Sequence, residues 1–194
     1  VEDAEAASFA ARAMGYPVAL KGLATDVSHK SDAGLVALGI TDAEGLRAAF
    51  AQVSAALRPT NQGQARRVLV QPMLSGGREV IIGGKRDPSF GPVVMFGLGG
   101  IHVEVLEDVA FRLAPLARED AERMVEEVRG SRMLQGVRGQ PLADRGAIIE
   151  AVLGMSRLLV ECPEIMEIEV NPVLVFAQGA AAVDARAVVG RQRT

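Results

Sequence analysis

Three oxygen-bearing side chains near the C-terminus have the spacing to hold a hard cation. In IMEIEVNPVLV, residues 165–175, Met166, Ile168 and Val170 alternate with Glu167, Glu169 and Asn171. That period of two marks a half-buried strand. Gln178-Gly179 supplies a turn, and AAAVD returns the chain as a second strand. A two-residue loop sets Asp184 on the face of Glu169 and Asn171, opposite or diagonal to the asparagine. Cross-strand neighbours at such positions lie about 4.5–8 Å apart. A three-residue loop turns Asp184 away. With the even loop, two carboxylates and a carboxamide share one face, and magnesium takes such donors together with phosphate oxygens. Polar residues on an outer strand face are most often simply solvated, so the hairpin alone leaves both readings open.

The remaining candidates are single residues. Lys21 ends PVALK, a short apolar run that reads as a buried strand delivering a cation to its tip; in isolation such a lysine is more often exposed. His29 lies in GLATDVSHKSDAG, a polar loop with many donors, where a lone histidine is more often a loop residue than a catalyst. Glu79 and Glu104, taken singly, read as solvated strand faces, and Gly97, Gly99 and Gly100 as a turn. The phosphate motif GxxxxGK[ST] does not occur, since Gly84-Lys85 is followed by Arg86. GLGG at 97–100 is neither GxGxxG nor the start of a helix, so a Rossmann site is not supported. CxxC, HExxH and GxSxG are absent, and His29 and His102 lack a third zinc ligand.

These residues need elements to position them. Residues 2–14 are rich in Ala and Glu and predict a helix stopped by Gly15 and Pro17. GLVALGI at 34–40 predicts a strand, and Thr41 with Glu44 a capping box opening a helix through about Leu57. PTNQGQ is linker-like. RVLVQPM at 67–73 predicts a strand whose Pro72 belongs at an edge. REVIIGGKRD at 78–87 predicts another, weakened inside by Gly83-Gly84. Asp87-Pro88 turns the chain into PVVMFG; HVEVLED and VAFRLAPL follow as strands. Residues 118–129 and 144–161 predict helices, the second with an apolar stripe of Ile148, Ile149, Val152, Met155, Leu158 and Leu159. Hairpin-like connections between most strands favour α+β over a doubly wound sheet. A division falls near residue 62.

The totals narrow the function classes. The 194 residues suffice for one large or two small domains, and 49% hydrophobic with 23% charged residues is an ordinary globular composition. A net charge of −3, no Trp and one Tyr argue against nucleic acid and against an anionic membrane surface. No apolar run approaches the roughly 18 residues of a membrane span. The single cysteine, Cys162, fits a reducing cytoplasm. No signal peptide opens the chain, and a start at Val1 suggests a piece excised from a longer protein.

The order of these features is itself informative. GYPVALK at 15–21, HKSDAGLV at 29–36, VQPMLSGGREVIIGGKRDPSFGPVVMFGLGGIHVEVLEDVAFRLAPL at 70–116, IEVNPVLV at 168–175 and VDARA at 183–187 carry a resemblance across essentially all of residues 5–189. The chain resembles the ATP-grasp domain of ADP-forming acyl-CoA synthetases, relatives of the succinyl-CoA synthetase β subunit. The resemblance implies two α+β lobes with mainly antiparallel sheets enclosing a nucleotide cleft. Residues 1–62 would form part of the N-terminal lobe and 63–194 the C-terminal lobe. Lys21 would contact the nucleotide phosphates beneath a flap running through Gly34. The backbone of Val70, Gln71, Pro72 and Met73 would read adenine, with Glu79 near the ribose or triphosphate. Glu169, Asn171 and Asp184 resemble the magnesium ligands, and His29 a phosphate-relay histidine. ATP or ADP with Mg²⁺ is the implied cofactor set. The implied partners are CoA-binding and ligase domains of the same or a companion chain, which bind the acid and CoA and carry a mobile histidine that accepts phosphate. Without them the 194 residues are not expected to complete the reaction. The family usually has Gly-Gly where this chain has Gly34-Leu35, and a helix and strand normally precede the position of residue 1. A non-catalytic ligand sensor of the kind fused to lysine acetyltransferases is the alternative.

Overall fold

The computed structural model describes residues 1–24, 33–57, 67–99, 108–136 and 141–190. The chain divides into two compact units, Val1–Ser75 and Gly76–Thr194, each with its own core. The polar loop containing His29, the linker-like PTNQGQ and the segment containing His102 and Glu104 lie outside the described residues.

In the first unit, helix α1 (Ala4–Met14) starts at Asp3, whose Oδ1 accepts the Ala6 N–H at 2.8 Å. It ends at Gly15, φ 85°, a conformation that favours glycine. Strand β1 (Val18–Gly22) is the centre of a three-stranded antiparallel sheet, flanked by β2 (Val36–Ile40) and β3 (Val68–Pro72). All five β1 residues are buried. Helix α2 (Ala43–Leu57) lays Leu46, Phe50, Val53 and Leu57 on the sheet. Its cap is Asp42 rather than Thr41: the Asp42 Oδ1 accepts the Gly45 N–H at 2.7 Å. A carboxylate next to the helix start also suits the positive end of its dipole; the cap thus falls one residue after the expected Thr41, and Gly45, at the third helical position, has no side chain to complete a box.

The second unit is a twisted antiparallel sheet with helices on one face. Strands β4 (Arg78–Asp87), β5 (Gly91–Leu98) and β6 (Val109–Leu113) come first. Helix α3 (Arg118–Glu127), a 3₁₀ turn over Arg129–Gln135 and helix α4 (Arg145–Glu161) follow. Strands β7 (Ile165–Val175), β8 (Ala180–Ala182) and β9 (Ala185–Val189) close the chain. The sheet order is β6-β5-β4-β7-β8, with β9 also paired to β7. Val80, Ile82, Val94 and Phe96 meet Met124 of α3 and Ile148, Val152 and Leu159 of α4 in one core. Helices joined to antiparallel sheets in this way make the class α+β, as the hairpin-like connections predict.

Strand β4 runs unbroken through Gly83-Gly84, from Arg78 to Asp87. A Cβ on Gly84 would lie 2.6 Å from Leu159 Cδ1, so glycine is what lets α4 press against the sheet. Strand β7 departs from simple alternation twice. Val80 pairs with Val173 but Ile82 with Val170, which inserts an extra β7 residue at Asn171-Pro172. A second irregularity between Ile165 and Glu167 leaves Ile165 packed against the core and Met166 exposed, contrary to the alternation read from Met166.

Candidate functional site

In the first unit, Lys21 is only 6% exposed. Its ladder neighbours are Val36 on β2 and Leu69 on β3, so the more common exposed reading of such a lysine does not apply. The stretch Val70–Met73 runs beside it: Leu20 pairs with Val70, Ala19 with Gln71 and Val18 with Pro72. The Met73 N–H bonds inward to Pro17 O at 2.9 Å. The Val68 N–H bonds outward, to Val1 O at 2.9 Å. Strand parity therefore turns the backbone of Val70 and Pro72 to the outer edge as well. Pro72, which has no N–H to offer, sits on this edge strand as its residue type requires.

In the second unit the hairpin register decides the geometry. Val173, Leu174 and Val175 pair with Ala182, Ala181 and Ala180. The Phe176 N–H bonds to Gly179 O at 3.0 Å, so the two-residue loop is Ala177-Gln178, one position earlier than Gln178-Gly179. Its length is still even. The same register continues through the Asn171 N–H to Asp184 O bond at 3.1 Å and the Val183 N–H to Pro172 O bond at 2.9 Å. Asp184 is thereby set opposite Asn171. The Asn171 Nδ2 donates to Glu169 Oε1 at 3.0 Å, which places both side chains on one face and leaves Oδ1 as the amide oxygen for a cation.

That face is the one turned away from the helices. Gly83 pairs with Glu169 and Glu79 with Leu174, while Val80 and Ile82 between them go into the core. Glu79 thus shares the face with Glu169, Asn171 and Asp184. Arg186, paired directly with Glu169, joins them; sequence reasoning passed over it, although it lies two residues beyond Asp184 and so has the same strand parity. Among the described residues no three His, Cys, Asp or Glu side chains form a metal cage. Two carboxylates and one carboxamide instead suit an ion that keeps waters and takes phosphate oxygens, so the donor set fits magnesium. Beside Glu169 lies a depression of about 370 Å³, with Gly83 in its floor, Met95, Val93 and Phe111 on one side and Lys85, Asp87 and Glu167 on the other. Hydrogen bonds from the Phe90 and Ser89 backbone hold the Asp87 carboxyl below its ordinary range.

The second unit is thus an antiparallel sheet backed by helices, with oxygen-bearing side chains of a two-strand hairpin on its open face. The chain belongs to the ATP-grasp domain family, whose model matches residues 1–189. It is 46% identical over 182 residues to an acetate–CoA ligase (ADP-forming) I of Archaeoglobus fulgidus, covering 94% of this chain and 27% of that protein. It is 42% identical over 177 residues to the β subunit of acetate–CoA ligase (ADP-forming) I of Pyrococcus furiosus, covering 91% of this chain and 76% of the subunit. Among solved structures, an acetyl-coenzyme A synthetase 1 of Ca. Korarchaeum cryptofilum with coenzyme A and Ca-AMPCP superposes with a TM-score of 0.93 at 40% identity, covering 98% of this chain and 83% of that one. The same enzyme with Mg-AMPPCP, its phosphohistidine segment pointing towards the nucleotide site, gives 0.83 at 40% identity over 97% of this chain and 83% of that one. The chain thus spans about a quarter of the A. fulgidus ligase, and corresponds to its ATP-grasp part.

Proposed function

We propose that this chain is the nucleotide-binding module of an ADP-forming acyl-CoA synthetase. Such an acid–thiol ligase converts a carboxylic acid, CoA and ATP to acyl-CoA, ADP and phosphate. The module handles the phosphoryl transfer between a phosphohistidine and ADP or ATP. The reading is carried by the even hairpin register, which sets Asp184 opposite Asn171 and beside Glu169. The Mg-AMPPCP complex of a 40% identical relative supports a magnesium nucleotide here.

Each residue then has a role. Lys21 contacts the nucleotide phosphates. The outward backbone of Val70, with Gln71, Pro72 and Met73, reads the base, and Glu79 lies toward the ribose or triphosphate. Glu169, Asn171 and Asp184 hold magnesium, which when bound neutralises charge on the transferring phosphoryl group. His29 relays phosphate. The protein's contribution is positioning and charge complementarity, which dominate catalysis of phosphoryl transfer. The two compact units, Val1–Ser75 and Gly76–Thr194, would act as the two lobes, with β3 on the sheet of the first unit instead of in a second lobe beginning at residue 63. CoA-binding and ligase domains, in the same or a companion chain, would supply the acid and CoA sites. The single cysteine supports a cytoplasmic setting.

The test is ADP affinity with and without magnesium. Asp184→Asn is nearly isosteric and leaves the backbone bond from the Asn171 N–H to Asp184 O in place, so the fold should stand. It removes one of two anionic ligands, and most of the gain in affinity that magnesium confers should disappear. Equal magnesium enhancement in wild type and Asp184→Asn would remove Asp184 from the metal site.

A further inference from the structure

The turn that sets this register is tied to the start of α4 by one residue. Asp144 caps α4, its Oδ1 accepting the Ala147 N–H at 3.0 Å. Its other oxygen, Oδ2, accepts the Gly179 N–H at 2.8 Å. Its own N–H donates to Phe176 O at 2.7 Å. Phe176 and Gly179 are the two residues that flank the Ala177-Gln178 loop and bond to each other across it. Both ends of the loop are therefore held by one residue 32 positions before Phe176 in the sequence. Helix α4 is a firm anchor, since Ile148, Ile149, Val152, Met155 and Leu159 are buried in the core.

From this geometry we infer that Asp144 is a positioning residue for the metal-binding face, which it serves by locking the hairpin in the even register. The inference rests on the magnesium reading of Glu169, Asn171 and Asp184. A loop longer by one residue would slide β8 and β9 along β7 and turn Asp184 to the opposite face. The same slip would displace Gly179 by about 3.3 Å, one strand residue, and break its bond to Asp144. The clamp and the wrong register exclude each other. Helix capping alone would need only one carboxylate oxygen, whereas here the second is spent on the turn. The donors at Gly179 and Ala147 also hold the Asp144 carboxyl below its ordinary range, with Gly179 the larger cause, so the ion that does the clamping is the form present at neutral pH.

Asp144→Ser in the full chain separates the two roles. Serine caps helices as well as aspartate but is too short to reach Gly179. Asp144→Asn is the second variant, retaining a single acceptor oxygen. Two readouts are needed: hydrogen exchange at the Asn171 amide, which bonds to Asp184, and ADP affinity with and without Mg²⁺. For Asp144→Ser the expected result is an unchanged helix signal and ADP affinity without metal, exchange at Asn171 faster by about tenfold or more, and loss of most of the magnesium enhancement. Unchanged exchange at Asn171 in both variants overturns the clamp. Faster exchange with full magnesium enhancement overturns its link to the metal face. An equal loss of ADP affinity with and without metal also overturns it, since that marks general unfolding. Asp184→Asn is the control for the underlying reading: if it too keeps the enhancement, the magnesium assignment fails, while the exchange result still judges the clamp.

Discussion

Lys21 joins a cationic head to a position that β1 buries almost completely, at 6% exposure. On the proposed reading a nucleotide phosphate adds a charge-assisted contact to this lysine. Such contacts are worth about 1.5–3 kcal/mol. Lys21→Met keeps the packing of the stem and removes the charge. Its ATP affinity, measured by calorimetric titration, should fall roughly tenfold or more, and an unchanged affinity would take Lys21 out of the site. Glu169, Asn171 and Asp184, the proposed magnesium ligands, differ in kind, being half-buried or exposed. Their arrangement depends on register rather than desolvation, and the inferred clamp at Asp144, remote in sequence, would act on that register.

At the scale of elements, Leu35 ties the start of β2 to the centre of the first unit's sheet. It is 0% exposed, and a Cβ on Gly22 would lie 3.0 Å from its Cδ2. The leucine fills space beside a glycine of the central strand. Leu35→Ala should therefore cost about 2–5 kcal/mol in denaturant unfolding; a cost below about 0.5 kcal/mol, the range of a surface change, would show that the position is not core. Most elements here were legible because their signals are local: the apolar stripe of α4, the glycine and proline after α1, the edge proline of β3. The hairpin face was legible too, because alternation and loop parity are properties of adjacent residues. What escaped depends on contacts between distant ones. Gly84 reads as a weak point until Leu159, on α4, is seen packed on it. The bulge at Asn171-Pro172 reflects pairing with β4, not anything in β7 alone. Asp144 looked only like a helix start, since its second oxygen serves a turn 35 residues later. Arg186 was not singled out although VDARA at 183–187 contains it and its parity was readable.

On the proposed reading, the whole molecule serves one part of a larger reaction. Its match covers 27% of one relative and 76% of a β subunit, and the roles proposed for its residues concern the nucleotide and its metal. Acid activation and thioester formation would then lie with the companion domains, and phosphate must travel between the two places. A relay residue for that journey needs to meet a donor from another domain without being a fixture of the nucleotide site. His29, in the polar sequence after β1, is a residue type that can act as a nucleophile in group transfer. Binding and transfer should consequently separate. His29→Ala should leave ADP affinity of the chain within about twofold, an effect of no more than roughly 0.4 kcal/mol, while acyl-CoA formation by the protein joined to its companion domains collapses. The two measurements are calorimetric ADP titration of the chain and steady-state turnover of the complete synthetase. Normal turnover would return His29 to the status of a loop residue. A loss of ADP affinity as large as the loss of turnover would make it part of the nucleotide site instead of a relay.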